Sequence, residues 1–336
     1  MPPTAGPVLV ARRRRIALVL LQIGGPDRLD AVGPFLRNFF SDPEIIRLPG
    51  LLRAGVARWI AHRRTPVARE IYRQLGGASP ILLQTRAQGR AVAAQLRDLG
   101  EVRPFVAMRY WHPFAAEIAA SIRAWQPDEI VLLPLYPQYS TTTTRSALAD
   151  WDAAARRAGL VAPTRRVDAA PADPGFVAAQ VELIRRAWPR DGGRHRLLFT
   201  AHGLPLSIVQ VGDPYPEHVR TSAEAVVAAL GIPELDWRIA FQSRVTPQAW
   251  LTPDTEHEVK QAGQDRVGLV LVPIAFVSEH SETLVELDRE YRAVADAAGV
   301  PSFIRVPTVG VHPAYVAGLA AQVRHALATD LLQEAA

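Results

Sequence analysis

Three glutamates spaced four residues apart are the most informative chemical feature of this chain. Glu282, Glu286 and Glu290 follow His280 and come directly after an uncharged apolar run at residues 268–276. On a helix, residues four apart are neighbours, so these carboxylates would line one stripe and repel by about 0.2–0.5 kcal/mol per adjacent pair. A sequence selected for stability alone would avoid this arrangement.

A purely structural interpretation explains only part of the stripe. Acidic side chains near a helix N-terminus interact favourably with the helix dipole, and Ser278 would cap such a helix. Glu286 would pair with Arg289 three residues later, but this interpretation leaves Glu290 unexplained. A solvated helix face is the usual meaning of a charge run. The position favours ligand binding instead, because open α/β sheets bind ligands where strands end.

His202 is a second candidate for chemistry. It follows the strand predicted at residues 196–201 and precedes Gly203 and Pro205, which indicate a sharp turn. A lone histidine in such a place is more often structural. If its strand lies beside the one that leads to Glu282, the two side chains face one cleft. An imidazole and a carboxylate there suit proton transfer or transient metal contact, but they are too few for a closed structural metal site.

A group of cationic, aromatic and hydroxyl side chains is predicted at the mouth of the first half of the chain. Arginine together with hydroxyls recognises carboxylate or phosphate groups. The glycine-rich turn at residues 76–80 matches neither the P-loop nor the dinucleotide fingerprint, and its serine would also cap the following helix. The group consists of Arg109-Tyr110-Trp111-His112-Pro113, Arg63-Arg64-Thr65-Pro66, Tyr72 and Gly76-Gly77-Ala78-Ser79-Pro80.

Residues 45–60 form an apolar segment interrupted by arginines. This pattern is typical of core packing. It is equally typical of an exposed apolar lip that contacts a bilayer or a flat apolar ligand. The sequence pattern alone leaves both interpretations open.

Composition limits the function classes that remain. The 336 residues, 49% of them hydrophobic, are enough for two domains, and the net charge of +5 is dispersed rather than gathered into the patch that nucleic-acid binding needs. A basic surface favours an anionic small ligand or an anionic membrane face. The absence of cysteine excludes disulfides, thiolate metal sites and cysteine-ligated iron–sulfur clusters.

The N-terminus resembles a signal peptide only superficially. Arginines at positions 12–15 precede an apolar run at residues 16–23, but no Ala-x-Ala-type cleavage site follows. No apolar stretch reaches the length that spans a bilayer. We therefore expect a cytoplasmic protein in which residues 1–12 are a disordered tail.

Short apolar runs alternate with amphipathic segments along the whole chain. This alternation predicts an α/β fold with two Rossmann-like lobes, each a parallel sheet flanked by helices. Residues 13–160 would form the first lobe and residues 161–311 the second, with a helix at residues 312–330 returning to the first. The predicted strands are 16–23, 105–109, 129–135, 165–167, 196–201, 238–242, 267–276 and 303–306. The predicted helices are 31–40, 80–99, 113–125, 144–158, 175–188, 217–230, 282–298 and 313–327.

Several motifs in this order resemble the ferrochelatases, and the resemblance extends from about residue 16 to residue 327. One part of it is the acidic segment described above. The other motifs are Gly24-Gly25-Pro26, Arg63-Arg64-Thr65-Pro66, Gly76-Gly77-Ala78-Ser79-Pro80, Arg109-Tyr110-Trp111-His112-Pro113, Leu135-Tyr136-Pro137-Gln138-Tyr139-Ser140, Ala201-His202-Gly203-Leu204-Pro205, Gly212-Asp213-Pro214-Tyr215-Pro216 and Phe241-Gln242-Ser243-Arg244.

The resemblance implies insertion of ferrous iron into protoporphyrin IX to form protohaem, the last step of haem biosynthesis, with both substrates bound between the lobes. It places His202 and Glu282 at the macrocycle, His280 near the metal, and Glu286 and Glu290 in a row behind Glu282. It further implies a π-type helix for this row, an apolar lip at residues 45–60, and a position near the porphyrin for Arg64, Tyr72, Ser79, Arg109 and Tyr110.

Two departures from family patterns refine this expectation. Some relatives that use coproporphyrin carry tyrosine where Ile23 stands, so Ile23 favours protoporphyrin. Animal-type enzymes carry an iron–sulfur cluster with one ligand at the position of Thr141 and others in a C-terminal extension. This chain has neither, so we expect no cluster, no prosthetic group and a monomer.

The expected mechanism uses His202 as proton acceptor and the glutamate row as a relay for protons or iron. Membrane contact through residues 45–60 would then be peripheral, at the inner face of the membrane. Two alternatives remain: a chelatase for another tetrapyrrole or metal such as cobalt, and a two-lobed carrier that binds a tetrapyrrole without chemistry. Only the carrier leaves the acidic row without a purpose.

Overall fold

The computed structural model describes residues 13–243 and 248–328. The tail expected at residues 1–12 lies outside the described residues, as does the end of the helix expected at 312–330. The strands are β1 Arg15–Gln22, β2 Glu101–Met108, β3 Glu129–Pro134, β4 Thr164–Arg166, β5 His195–His202, β6 Trp237–Gln242, β7 Gly268–Pro273 and β8 Phe303–Arg305. The α-helices are α1 Val32–Phe40, α2 Gly50–Gln74, α3 Ile81–Gln95, α4 Ala115–Trp125, α5 Ser146–Ala158, α6 Pro174–Ala187, α7 Leu206–Val209, α8 Tyr215–Leu230, α9 Thr255–Gln264, α10 Tyr291–Ala297 and α11 Pro313–Ala328.

The strands form two parallel four-stranded sheets, with orders β2-β1-β3-β4 and β6-β5-β7-β8. Every pairing within the sheets is parallel. The central strands are apolar and buried along almost their whole length, as in β1 and β7, because helices cover both faces of each sheet. The predicted α/β class with two parallel sheets flanked by helices is therefore confirmed.

The two sheets are joined by buried side-chain hydrogen bonds. The Gln88 amide donates to the carbonyl oxygens of Val277 (2.8 Å) and Gly310 (3.0 Å). The Gln138 amide donates to the hydroxyl of Ser222 at 2.8 Å. Because Gln88 and Gln138 are almost completely buried, these bonds replace water and hold the strand ends of the two sheets in a defined relation.

The C-terminal helix α11 packs against α6 and against α3 of the first sheet. Arg324 of α11 pairs with Asp98 and donates to the carbonyl of Gln95. A Cβ at Gly175 would lie 2.4 Å from the carbonyl oxygen of Ala314, so only glycine permits this close approach of α6 and α11.

Helix α2 is the main element that the sequence did not predict. Most of its surface is exposed, with only Ala57, Ala61 and Tyr72 buried, so it lacks the wide apolar stripe of a core-facing helix. It also contains Pro66, which normally ends a helix. No helix within the described residues is both long enough and apolar enough to cross a bilayer.

Candidate active site

A cleft lies between the two sheets at the carboxyl ends of their central strands. It encloses about 1300 Å³ of empty space, including its open mouth. Its walls are mainly apolar and aromatic, and its polar groups are few, which is typical of a site for a large apolar ligand. The lining residues include Ile23, Phe39, Ile45, Ile46, Ile60, Tyr136, Thr143, His202, Ile208, Tyr215, Trp250, Phe276, His280 and Glu282.

His202 and Glu282 meet at one end of this cleft. His202 is the last residue of β5, and its Nδ1 lies 3.1 Å from Oε2 of Glu282. His280 comes from the turn after β7, and its Nε2 lies 3.5 Å from the same carboxylate oxygen. Each of His202 and Glu282 keeps 30% of its side chain exposed, and both line the cleft. Two imidazoles and one carboxylate are thus presented to whatever occupies the cleft.

The pair of His202 and Glu282 is electrostatically matched. Burial lowers the pKa of His202, but the charge and hydrogen bond of Glu282, with the charge of Glu286, outweigh burial and raise it. Burial raises the pKa of Glu282, but the charges and hydrogen bonds of His202 and His280 outweigh it and leave the pKa well below its usual range. Each partner therefore stabilises the charged form of the other.

The glutamate row lies on a π-helix, Glu282–Glu290, as the family resemblance implied. A π-helix has a wider turn than an α-helix, so side chains four apart stay closer to one line. Glu282 and Glu286 are half-buried, whereas Glu290 is exposed. The row therefore leads from the interior of the cleft to the protein surface.

Glu286 is held by neutral hydrogen-bond donors. Ser243 Oγ donates to its Oε2 at 2.6 Å, Gln242 Nε2 donates to the same oxygen at 3.2 Å, and the Tyr291 hydroxyl donates to Oε1 at 3.2 Å. Burial and the charge of Glu282 raise the pKa of Glu286, although these hydrogen bonds and His202 oppose the shift. Two neighbouring carboxylates with pKa values shifted in opposite directions are suited to passing a proton or a cation between them.

Arg305 of β8 fixes the π-helix through two carboxylates. Its guanidinium donates to both oxygens of Asp288, at 2.8 and 2.7 Å, and to Oε1 of Glu279 at 2.6 Å. Burial raises the pKa of Glu279, but the charge of Arg305 together with hydrogen bonds from Thr283, the Thr308 amide and Arg305 outweighs burial and lowers it. One side chain thus connects the turn before His280 to the middle of the π-helix.

Tyr72 and Ile23 lie close to the reactive groups. Tyr72, near the end of α2, is buried, and burial with the charge of the nearby Glu282 raises its pKa to about 12 although Ser281 opposes the shift. Ile23 follows β1 and lines the cleft. The structure therefore places one of the predicted hydroxyl groups beside Glu282 and the apolar Ile23 inside the cleft.

Arg109 and Tyr110 lie in a buried network rather than in the cleft wall. The Tyr110 hydroxyl and Arg109 Nη2 both donate to Oδ2 of Asp42, at 2.7 and 2.9 Å, and Arg109 Nε donates to Ser146. Tyr110 is 1% exposed and Asp42 is 2% exposed. The polar groups of Arg109 and Tyr110, which the sequence suggested as ligands for substrate carboxylates, are thus bonded to Asp42 and Ser146 instead.

Ser79 and Arg64 also lie outside the cleft wall. The amide of Ser79 donates to the carbonyl of Pro26 at 2.8 Å, and a Cβ at Gly25 would lie 2.7 Å from the Ser79 side chain. Ser79 thus supports the glycine turn after β1. Arg64 is on the exposed face of α2, and partial burial lowers its pKa.

Sequence reasoning gave no role to two buried aspartates, although one of them, Asp213, lies in a motif of the family resemblance. Asp213 accepts hydrogen bonds from Ser140 and from the amide and hydroxyl of Thr141, where a short π-helix, Thr141–Arg145, begins. Asp42 is the other, at the end of α1. An aspartate followed by proline, as both are, is an ordinary turn signal, so neither could be distinguished from a loop residue.

Metal-binding geometry is incomplete in the described part of the chain. Within residues 13–243 and 248–328, no three His, Asp or Glu side chains are arranged to hold a metal ion together. His202, His280 and Glu282 still offer the nitrogen and oxygen ligands that borderline divalent ions accept.

Comparison with known proteins identifies the family. A family model described as Ferrochelatase matches residues 15–327. A ferrochelatase of Phenylobacterium zucineum is 49% identical over 312 residues, covering 91% of this chain and 90% of the relative. A ferrochelatase of Caulobacter vibrioides is 44% identical over 316 residues, covering 93% of this chain and 90% of the relative.

Solved structures agree at the level of the fold. SirB from Bacillus subtilis with Fe3+ matches with a TM-score of 0.60 at 11% identity, covering 94% of this chain and 96% of that one. The sirohydrochlorin chelatase SirB from Bacillus subtilis subspecies spizizenii in complex with cobalt matches with a TM-score of 0.53 at 13% identity. The match covers 93% of this chain and 95% of that one. With the family match over nearly the whole described chain, these findings show that the chain is an enzyme that belongs to the ferrochelatase family.

Proposed function

We propose that this enzyme inserts ferrous iron into protoporphyrin IX to form protohaem. The observation that carries the proposal is the contact between His202 and Glu282 inside an apolar cleft large enough for a flat macrocycle. The family match supports iron insertion into a porphyrin. Ile23, an apolar side chain in the cleft wall, supports protoporphyrin over a tetrapyrrole with more carboxylates, because burying a charged group without a partner is costly.

The reaction removes two protons from pyrrole nitrogens and delivers a dehydrated ion to four nitrogens in one plane. A flat macrocycle hides its nitrogen lone pairs, so a cleft that holds the ring bent moves it toward the transition state. We assign His202 the role of proton acceptor. Glu282, with His280 beside it, contacts the proton or the ferrous ion, and Glu286 and Glu290 connect this point with the surface.

His202 can accept a proton only when its imidazole is neutral, and arrival of the ferrous ion in the cleft would favour that form. A ferrous ion that approaches Glu282 competes with His202 for the carboxylate. Losing that partner lowers the pKa of His202, so its proton passes to solvent water at the open mouth of the cleft and the neutral imidazole can accept a pyrrole proton. An incomplete ligand set suits this role, because the ion must leave it for the macrocycle.

Initial rates with different substrates test the proposed function. Ferrous iron should be inserted into protoporphyrin IX with a kcat/KM at least about tenfold above that for a tetrapyrrole with more carboxylates, which corresponds to about 1.4 kcal/mol of transition-state binding. The proposal fails if the purified protein binds protoporphyrin but inserts no iron. It also fails if cobalt with the more carboxylated tetrapyrrole is the preferred pair.

We also propose peripheral membrane contact through residues 45–60. Leu51 is 93% exposed, Leu52 62% and Trp59 61%, which is a large apolar surface for one exposed helix. Ile45 and Ile46 instead line the cleft. This arrangement supports a lip with two faces, one toward the ligand and one toward a bilayer from which an apolar porphyrin could enter.

A further inference from the structure

Gln242 contacts both halves of the reactive centre. It is the last residue of β6 and is 1% exposed, and its register partner on β5 is His202. Its backbone carbonyl accepts a hydrogen bond of 2.8 Å from the amide of Gly203, the residue after His202. A Cβ at Gly203 would lie 2.9 Å from that carbonyl oxygen, so the turn that presents His202 is packed directly on Gln242.

The side chain of Gln242 points to the acidic row. Its Nε2 donates to Oε2 of Glu286 at 3.2 Å, and its Oε1 accepts the hydroxyl of Thr200 at 2.8 Å. A flipped amide would place its oxygen against the Glu286 carboxylate, so the contact with Glu286 selects this orientation, in which Thr200 donates to Oε1. Thr200 is 0% exposed, and its hydroxyl also lies 3.2 Å from that of Thr255. The amide is therefore fixed by a second, fully buried layer.

The carboxylates of this segment are held in two different ways. Asp288 and Glu279 are both ion-paired with Arg305, whose single positive charge offsets part of their negative charge. The donors that the described residues offer to Glu286 are an amide and two hydroxyls, none of them charged. Neutral donors fix the position of a carboxylate and leave its negative charge available to a cation.

We propose that Gln242 is a positioning residue for metal delivery, which fixes the His202 turn through its backbone and the Glu286 carboxylate through its side chain. This inference rests on the proposed function, in which Glu286 belongs to the path of the ion. Gln242 does not touch the porphyrin in this account. Substitution of Gln242 should therefore change the KM for ferrous iron and not the KM for the porphyrin.

Steady-state iron insertion by Gln242→Leu tests this role. Losing a hydrogen bond to a charged group should raise the KM for ferrous iron about tenfold, while the KM for protoporphyrin stays within about twofold. Thr200→Val keeps the shape of the buried layer and removes only the hydroxyl that orients the amide. It should raise the KM for iron by about threefold, and it provides the test if Gln242→Leu does not fold.

Gln180→Leu is the matched control. Gln180 is also a completely buried glutamine, it lies on α6, and neither polar atom of its amide has a hydrogen-bond partner. This variant should leave both KM values unchanged. An equal rise of both KM values in Gln242→Leu, or a rise of the KM for iron in Gln180→Leu, would overturn the assignment.

The double variant with Glu286→Gln separates this inference from the proposed function. If Gln242 acts through Glu286, Gln242→Leu changes the KM for iron by less than about twofold once Glu286 is replaced. An undiminished effect in that background overturns the positioning role and leaves the acidic row intact. If Glu286→Gln alone leaves the KM for iron unchanged, the acidic row of the proposed function is wrong.

Discussion

At the scale of single residues, access to the cleft distinguishes groups available for chemistry from groups that hold the structure. Arg305 with Asp288, and Arg109 with Asp42, are ion pairs with several further hydrogen bonds. His202, His280 and Glu282 instead line an open cleft. The first kind resists change, because a buried charge without its partner is costly. The second kind can exchange partners with a substrate.

Tyr110→Phe tests whether the Asp42 network is structural. The variant removes a 2.7 Å hydrogen bond to a carboxylate and leaves the aromatic packing in place. We expect the free energy of unfolding to fall by about 1.5–3 kcal/mol, measured by urea denaturation. The dissociation constant for protoporphyrin, measured by fluorescence quenching, should stay within twofold. A tenfold weaker porphyrin complex with unchanged stability would place Tyr110 at the ligand instead.

The sequence predicted the individual reactive residues better than their surroundings. His202 and Glu282 could be paired in advance because parallel neighbouring strands end at the same edge of a sheet. The contacts of Arg109 and Tyr110 could not be predicted, because Asp42 is 67 residues away from Arg109 in sequence and resembles a turn residue. Distant partners of this kind depend on tertiary packing.

At the scale of elements, the strands were predictable and one long helix was not. All eight strands were expected near their observed positions, because buried parallel strands are short apolar runs between turn residues. Helix α2 was missed because it packs few side chains inward and contains Pro66. The π-helix needed the family resemblance, since a four-residue spacing of glutamates is also compatible with an α-helix.

Glu279→Gln tests how the π-helix is anchored, through the dependence of stability on pH. The pKa of Glu279 is lower in the folded protein than in the unfolded chain, so its contribution is complete above about pH 4.5 and is lost as the pH falls through the folded value. We expect the free energy of unfolding of the wild type to exceed that of the variant by about 1.5–3 kcal/mol at pH 7. This difference should shrink below about pH 4.5. Urea denaturation at several pH values measures this. A difference that grows on acidification would contradict the assignment.

At the scale of the whole molecule, the exposed apolar face of α2 lies next to the mouth of the cleft. Leu51→Ser with Leu52→Ser should lower the fraction of protein that co-sediments with anionic liposomes by about tenfold. Full burial of a leucine side chain contributes about 1.5–3 kcal/mol, and partial insertion of these two leucines into the bilayer contributes less than their full burial would. Turnover with detergent-solubilised porphyrin should be unchanged.

Val161→Ser is the control for the liposome experiment. Val161 is 95% exposed and lies after α5, outside residues 45–60. Its replacement should leave co-sedimentation unchanged. Unchanged liposome binding by the double leucine variant would remove the basis for membrane contact through residues 45–60.

His202 ends one strand of the second sheet and Glu282 follows the neighbouring strand, so the central claim can be tested at one contact. His202→Ala and Glu282→Ala should each lower kcat for iron insertion at least about a hundredfold, the scale of a positioned acid or base, while protoporphyrin still binds with a dissociation constant within about threefold of the wild type. Single-turnover iron insertion, measured beside porphyrin binding on the same samples, is the direct test. Near-normal turnover in both variants would contradict the account.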